Sequence, residues 1–310
     1  MRHQNLLVTI AILWLAAIIL AVKMQIQQAN THKNLTKHIL FNNQTSCITL
    51  VYGPHVNGQA NMLDLWLPPG TLGHNTLYPL VVFIHGGAWE SGDKSFMYFQ
   101  NQFNKSGYAV ASINYRLTRE AIFPAQIEDC KMAIGWLRAH AKIFKIDPDR
   151  IGVWGVSAGG HLAALIGTTS DVENSHWQPP SGISSSVQAV CDWCGPTDFT
   201  TIAQQSGPNY VLSRAVRQLL GGSPEEMPEM AKEASPVTHV HRGCPPFLIM
   251  HGKKDTIVPI EQSKELASSL KSAKSNVVLE IIPSASHNIC SKTLVGRVIQ
   301  FFDLVLKKHG

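Results

Sequence analysis

The run Gly155-Val156-Ser157-Ala158-Gly159 constrains the fold of this chain more than any other feature. A strand-favouring stretch, residues 150–154, precedes it, and a helix-favouring run, residues 160–165, follows it. Strand, tight turn and helix are the setting in which G-x-S-x-G forms a nucleophile elbow, which holds its serine strained at the strand tip with the hydroxyl exposed. The following helix directs the positive end of its dipole at this point, where it favours developing negative charge. Taken alone, the motif also fits a glycine-rich turn with an incidental serine, so the rest of the chain has to decide.

Apolar runs typical of strands alternate with helix-like segments along the rest of the chain. Strands are predicted over residues 63–68, 78–85, 107–115, 151–154, 187–193, 246–250 and 277–282, and helices over residues 124–140, 261–273 and 294–307. The first of these strands is predicted at a sheet edge because prolines follow it. A longer excursion, residues 196–241, is expected beside the strand tips. Strands interleaved with helices predict an α/β fold with a mostly parallel central sheet and helices on both faces.

The composition indicates a large globular domain without a nucleic-acid partner. The chain has 310 residues, and its hydrophobic fraction of 45% is ample for a core. The formal net charge of +5 is mild and no block of like charges occurs, so nothing favours nucleic-acid binding. Neither a cofactor nor a metal site is predicted. The one C-x-x-C pair, Cys191 and Cys194, spans a strand end, where alternation places the two side chains on opposite faces.

The N-terminal segment differs from the rest of the chain. Arg2 is followed by an uncharged apolar run over residues 6–22, which Lys23 ends. The run is long for the core of a signal peptide and short for a spanning helix. Residues 1–24 are therefore predicted to be either a signal peptide or an uncleaved signal anchor.

The domain organisation follows from this segment. Residues 25–46 are polar and are predicted as a linker, and residues 47–310 are predicted as the folded domain. The domain is expected outside the cytoplasm, either tethered to a membrane through residues 6–22 or periplasmic or secreted.

Partners for Ser157 are expected later in the chain, an acid first and then a histidine. Asp255 is the preferred acid, because it follows the apolar run 246–250 closely and so lies at the carboxyl end of a strand. Asp198 also follows a strand and is the rival, although a turn-forming role explains it as well. Two histidines follow Asp255. His287 lies in a loop after a predicted strand, whereas His309 is the penultimate residue, so His287 is preferred.

These three residues together predict nucleophilic catalysis. A serine hydroxyl is a poor nucleophile until a base takes its proton. We expect His287 to take the proton of Ser157 and later to protonate the leaving group. Asp255 would fix the tautomer of the histidine and stabilise its imidazolium form.

The negative charge that builds on a substrate carbonyl oxygen needs hydrogen-bond donors. The sequence His85-Gly86-Gly87 follows the most apolar strand, and its glycines let backbone N–H groups approach a substrate closely. Gly86 and Gly87, with the N–H of Ala158, are the predicted oxyanion hole. An ordinary tight turn is the alternative for the glycines alone.

Further motifs accompany these residues at 85–89 (HGGAW), 114–117 (NYRL), 123–131 (FPAQIEDCK), 146–155 (IDPDRIGVWG), 157–161 (SAGGH), 195–198 (GPTD) and 245–255 (PPFLIMHGKKD). With them the chain resembles the hormone-sensitive-lipase-like esterase group of α/β-hydrolases, and within it bacterial proteins described as bifunctional feruloyl and acetyl xylan esterases. The resemblance implies an α/β-hydrolase fold and the triad Ser157, Asp255 and His287. It departs from the family at Ser286 and Asn288, where glycines usually flank the histidine.

A serine carboxylester hydrolase is the function that this set predicts, with a small-molecule ester as substrate. The resemblance implies short-chain acyl esters, among them acetyl or feruloyl esters of carbohydrates. Two alternatives stay open: a small-substrate amidase or peptidase of the same fold, and a non-catalytic binding protein that retains the hydrolase fold. Loss of a triad member would indicate the binding protein, and none is lost.

Overall fold

In the part of the chain that the structure describes, a central sheet has nine strands in the order β1-β2-β3-β5-β4-β6-β7-β8-β9. The computed structural model describes residues 39–42, 45–55, 59–69, 71, 76–170, 177, 182–289 and 291–307. The strands are β1 Ile39–Asn42, β2 Thr45–Val51, β3 Met62–Leu67, β4 Tyr78–Ile84, β5 Ala109–Ile113, β6 Ile146–Val156, β7 Ala189–Trp193, β8 Phe247–Gly252 and β9 Val277–Ile282. The pairs among β1, β2, β3 and β5 are antiparallel, and those from β5 through β4 to β9 are parallel. The prediction of a mostly parallel sheet is confirmed.

Helices cover both faces of this sheet. They are α1 Gln100–Lys105, α2 Ala125–Ala139, α3 Ala141–Phe144, α4 Ala158–Thr168, α5 Ile202–Ser206, α6 Tyr210–Leu220, α7 Pro228–Ala234, α8 Ile260–Ser272 and α9 Lys292–Leu306. On one face, α2, α4 and α8 bury Ile127, Leu162 and Leu266 in a common core. On the other face, α1 and α9 bury Phe103 and Phe302. The sheet is therefore screened from water on both sides, which long parallel strands require.

The prediction that the strand over residues 63–68 lies at an edge is wrong. β3 pairs with β2 on one side and with β5 on the other. The prolines that suggested an edge, Pro68 and Pro69, come after the last strand residue, so they remove no hydrogen bond from the ladder.

Two strands at the sheet's first edge differ from the sequence-based organisation. β1 lies within residues 25–46, where a polar linker was predicted, and β2 begins inside the same range. β1 pairs antiparallel with β2, which continues the sheet through β3. The apolar run Ile39-Leu40-Phe41 is too short to indicate a strand by itself. It becomes a strand because its backbone hydrogen-bonds to β2.

The predicted signal peptide or anchor lies outside the described residues, as does the apolar run over residues 6–22. Within the ranges that the structure describes, no helix is both long and apolar enough to cross a membrane.

His161, on α4, joins three parts of the fold. Its ring is completely buried, its Nδ1 accepts a hydrogen bond from Nε1–H of Trp89 at 3.1 Å, and its Nε2–H donates to the carbonyl oxygen of Ala234 at 2.8 Å. Because one ring nitrogen accepts and the other donates, the ring is neutral. Burial lowers the pKa of His161 to about 4, which favours the same neutral form.

Acid is expected to weaken the fold through His161. Its pKa is lower in the folded protein than in the unfolded chain, so the unfolded chain binds the proton first as the pH falls. The contribution is complete above pH 6.5 and is lost progressively as the pH falls toward about 4. In urea titrations this residue should lower the free energy of unfolding by up to about 1.4 kcal/mol per pH unit. In the variant His161→Gln, the free energy of unfolding should fall less steeply as the pH is lowered. An unchanged slope would show that His161 is not the group responsible.

Candidate active site

Ser157 occupies the turn between β6 and α4. Its backbone has φ 56° and ψ −120°, a conformation that a residue with a side chain rarely adopts. The N–H of Ser157 donates to the carbonyl oxygen of Trp193, on the neighbouring strand β7, at 2.7 Å. The strand, turn and helix predicted around this serine are all present, and the turn holds its side chain at the tip of the strand.

The glycines on either side of the serine have no room for a side chain. A Cβ added to Gly155 would lie 1.9 Å from the carbonyl oxygen of Gly159. A Cβ added to Gly159 would lie 2.0 Å from the carbonyl oxygen of Ile84, at the end of β4. The atoms that block both positions belong to the backbone, so the turn exists only with glycine at each place.

Three predicted residues form one line of hydrogen bonds. The hydroxyl of Ser157 donates to Nε2 of His287 at 2.9 Å, and Nδ1–H of His287 donates to Oδ2 of Asp255 at 2.7 Å. In the sequence, His287 is 130 positions from Ser157 and 32 from Asp255. They meet because β6, β8 and β9 are parallel, so the loops at their carboxyl ends share one edge of the sheet. Ser286 and Asn288 replace the usual glycines without disturbing these distances.

The carboxylate of Asp255 is held on both oxygens. Oδ1 accepts the N–H groups of Ile257 at 2.8 Å and Val258 at 3.0 Å, while Oδ2 faces His287 and, at 3.2 Å, Nε2 of His251. Burial opposes ionisation, but the hydrogen bonds from His251 and His287 outweigh it. The pKa of Asp255 therefore lies well below its ordinary value. The site thus contains a fixed negative charge behind the imidazole at neutral pH.

The rival acid, Asp198, has a different position. Its Oδ1 accepts the N–H of Thr200 at 2.8 Å and the hydroxyl of the same residue, which is the turn-forming arrangement. Its backbone N–H donates to Oε1 of Gln262 on α8 at 2.8 Å. The structure therefore brings Asp255, and not Asp198, to His287.

The predicted oxyanion donors surround the elbow. A Cβ added to Gly86 would lie 3.4 Å from Cβ of Ser157, so the backbone of Gly86 runs directly against the serine. Gly87 and Ala88 follow with φ values of 115° and 56°, which turn the chain sharply at this point. Ala158 is the first residue of α4, and an N–H in the first turn of a helix has no intrahelical partner. Gly86 and Ala158 therefore lie beside Ser157, and Gly87 follows Gly86 directly in the chain.

The excursion between β7 and β8 contacts both loops of the site. Arg214 on α6 forms an ion pair of 2.8 Å with Glu90, which follows the oxyanion sequence. Nδ2 of Asn209, at the N-terminus of α6, donates to the carbonyl oxygens of Thr256 at 3.1 Å and Ile257 at 3.0 Å. Helix α6 therefore connects the loop after β4, which contains Gly86 and Gly87, to the loop after β8, which contains Asp255.

Two further residues, His251 and Cys194, contact the residues of the site, and no sequence pattern indicated this. His251 precedes Asp255 by four positions, and only the folded β8 loop shows that the two side chains touch. Cys194 lies at the end of β7, and its thiol donates to the carbonyl oxygen of His287 at 3.4 Å.

The prediction that Cys191 and Cys194 face opposite sides is wrong. Cys194 has φ 47°, which ends the alternation, and both residues pack in the core beneath α1 and α9.

Comparison with known proteins places this geometry in a family. The BD-FAE family model matches residues 63–270, which is more than half of the chain. Esterase LipC of Mycobacterium tuberculosis is 34% identical over 237 residues, covering 74% of this chain and 57% of that protein. The probable carboxylic ester hydrolase LipM of the same organism is 32% identical over 240 residues, covering 76% and 54%. The chain thus spans about half the length of these curated relatives.

Solved structures give the same fold. A truncated carbohydrate esterase from gut microbiota superposes with a TM-score of 0.75 at 30% identity, covering 86% of this chain and 99% of that one. A butyrate-bound esterase from Thermogutta terrifontis superposes with a TM-score of 0.64 at 26% identity, covering 83% and 90%. Sheet order, elbow and family match agree: the chain is an α/β-hydrolase and belongs to the BD-FAE family, a hormone-sensitive-lipase-like group.

Proposed function

We propose that this protein is a serine carboxylester hydrolase that acts on short-chain acyl esters through a Ser-His-Asp acyl-enzyme mechanism. The observation that carries the proposal is the unbroken line from Ser157 through His287 to Asp255, with distances of 2.9 Å and 2.7 Å. A nucleophile, a base and an orienting acid in this order are the parts that acyl transfer requires. The names of the relatives, esterase and carboxylic ester hydrolase, support the same reaction.

Acylation would start with proton transfer from the Ser157 hydroxyl to Nε2 of His287 as Oγ attacks the acyl carbon. The charge on the carbonyl oxygen would be taken up by the N–H groups of Gly86, Gly87 and Ala158. His287 would then give its proton to the departing alkoxide, which leaves as the alcohol. A water molecule would release the acyl group by the same two steps, with His287 again taking and returning the proton.

The substrate part of the proposal is a small acyl group on a carbohydrate or a small alcohol. Similarity to a carbohydrate esterase over nearly the whole of that chain supports the carbohydrate, and the butyrate-bound relative supports a short acyl group. On α6, the apolar residues Leu212, Val216 and Leu219 are buried in the core. Outside the core, Arg214 pairs with Glu90, and the exposed large apolar side chains of this helix are Tyr210 and Val211 at its N-terminal end. Two such side chains are far less than the broad apolar surface that a long lipid chain needs.

The acyl preference can be measured with nitrophenyl esters from about two to sixteen carbons. Each methylene that finds no pocket forgoes roughly 0.8 kcal/mol of burial, so selectivity should fall steeply beyond the length of the pocket. We expect kcat/KM to be highest for acetyl to butyryl esters. A maximum at about ten carbons or more would contradict the proposal and favour a lipase. A parallel panel of acetylated and feruloylated sugars tests the alcohol part separately.

A further inference from the structure

His251 is a fully buried imidazole inside the β8 strand, in contact with the carboxylate of Asp255. Nε2 of His251 lies 3.2 Å from Oδ2 of Asp255 and 3.0 Å from the carbonyl oxygen of Val258. Nδ1 of His251 lies 2.7 Å from Oγ of Ser263, which is buried on α8. Both ring nitrogens therefore have partners.

The partners determine which nitrogen of His251 carries the proton. A carbonyl oxygen and an ionised carboxylate only accept hydrogen bonds, so the nitrogen that faces them, Nε2, must be the donor. In the neutral ring Nδ1 is then an acceptor, and the hydroxyl of Ser263 donates to it. Both nitrogens are then satisfied, as buried polar groups generally are. The carbonyl oxygen of Val258 and the carboxylate thus select this tautomer, and the hydroxyl of Ser263 supports it by donating to Nδ1.

Oδ2 of Asp255 consequently lies between two imidazole N–H groups, one from His287 and one from His251. Oδ1 is fixed by two backbone N–H groups of the same loop. Without His251, Oδ2 would keep its bond to His287 alone, and the plane of the carboxylate could tilt more easily. A small change of this plane alters the direction in which the His287 ring points at Ser157, and catalytic rates respond strongly to such misplacement.

We propose that His251, oriented by Ser263, is a positioning residue of the active site that fixes the Asp255 carboxylate and shares its negative charge with His287. The proposal rests on the proposed function, because it assigns His251 a role through the triad. Two other titratable groups face this arrangement from β7. Asp192 is buried beside His251, and the thiol of Cys194 lies against the Asp255–His287 pair. Both are unchanged in the variants below, so differences between variants report on His251.

The test compares His251→Leu with His251→Gln in the full chain, with rates expressed per active site after titration with a fluorophosphonate. His251→Leu should lower kcat by about tenfold to a hundredfold with little change in KM. The acidic limb of its kcat/KM profile should move to higher pH, because more of the carboxylate charge is left to the His287 imidazolium. His251→Gln should restore most of kcat and most of the wild-type pH profile, since the amide N–H of glutamine should reach Oδ2 of Asp255. A purely structural role would lower the number of titrated sites without moving the profile.

Ser263→Ala provides a second measurement that does not depend on the folding of the leucine variant. Loss of the hydroxyl leaves the buried Nδ1 without its donor and holds the ring less firmly, so the same shift of the acidic limb is expected, only smaller. Ser275→Ala is the matched control, because it removes a serine hydroxyl bonded to the carbonyl oxygen of His241, outside the triad. A wild-type profile and a wild-type kcat per site in both His251→Leu and Ser263→Ala would overturn the inference. Activity that survives Ser157→Ala would instead overturn the proposed function.

Discussion

Replacing Ser157 by alanine is expected to abolish ester hydrolysis and to leave the fold intact. The change removes the nucleophile, and loss of this group in a serine hydrolase lowers kcat by about a millionfold. The altered side chain is partly exposed at the strand tip, and the residue's structural bond, from its N–H to the carbonyl oxygen of Trp193, belongs to the backbone. Turnover of nitrophenyl acetate should fall to background while circular dichroism and the thermal midpoint stay close to those of the wild type.

Covalent labelling provides the control for this variant. A fluorophosphonate should modify the wild-type protein once, on the peptide that contains Ser157, and should not modify Ser157→Ala. Near-wild-type turnover in the alanine variant would rule out the acyl-enzyme mechanism. Labelling of another serine would move the nucleophile elsewhere.

Asp255→Asn should lower kcat by about ten-thousandfold, the second largest effect that we expect. An amide has an N–H group where the carboxylate has an oxygen, so it favours the wrong tautomer of His287 and removes the negative charge behind the imidazolium. The bonds from Ile257 and Val258 to Oδ1 can be made to the amide oxygen, which preserves the loop.

Asp198→Asn is the matched control, because it makes the same chemical change at the other acid that follows a strand. Asn retains the oxygen that accepts from Thr200 in the turn, so activity per folded molecule should stay within about threefold of the wild type. Kinetic and urea-unfolding measurements on both variants separate catalysis from stability. If Asp198→Asn were the more damaging change for kcat, the assignment of the acid would be reversed.

The proposed triad could be selected from the sequence because the order of its residues and their positions after strands are both visible in one dimension. Asp255 was preferred to Asp198 because it closely follows a strongly apolar strand, and the parallel sheet brings residues at such positions together. His251 carries no comparable signal. The proposed role of His251 depends on its contacts with Asp255 and with the hydroxyl of Ser263 on α8. No spacing rule predicts such contacts.

The parts of the fold that the sequence did not predict have similar causes. β1 and β2 form at the edge of the sheet through antiparallel pairing, whose partners are chosen by the neighbouring strands more than by local pattern. The position of Cys194 depends on one backbone angle, φ 47°, which no composition rule supplies. Side chains alternate between the two faces of a sheet inside a strand, but not beyond the residue at which the strand ends.

The packing of the elbow has a consequence for laboratory evolution of this protein. Backbone atoms lie about where side chains at Gly155 and Gly159 would have to be, at 1.9 Å and 2.0 Å, so libraries at these two codons would yield almost only inactive clones. Helix α6 is the opposite case, because Tyr210 is 79% exposed and Val211 is 63% exposed at its N-terminal end, next to the loop of the acid. Mutational effort directed at new acyl or alcohol groups is therefore best concentrated there, where exposed side chains can be exchanged without altering Ser157, His287 or Asp255.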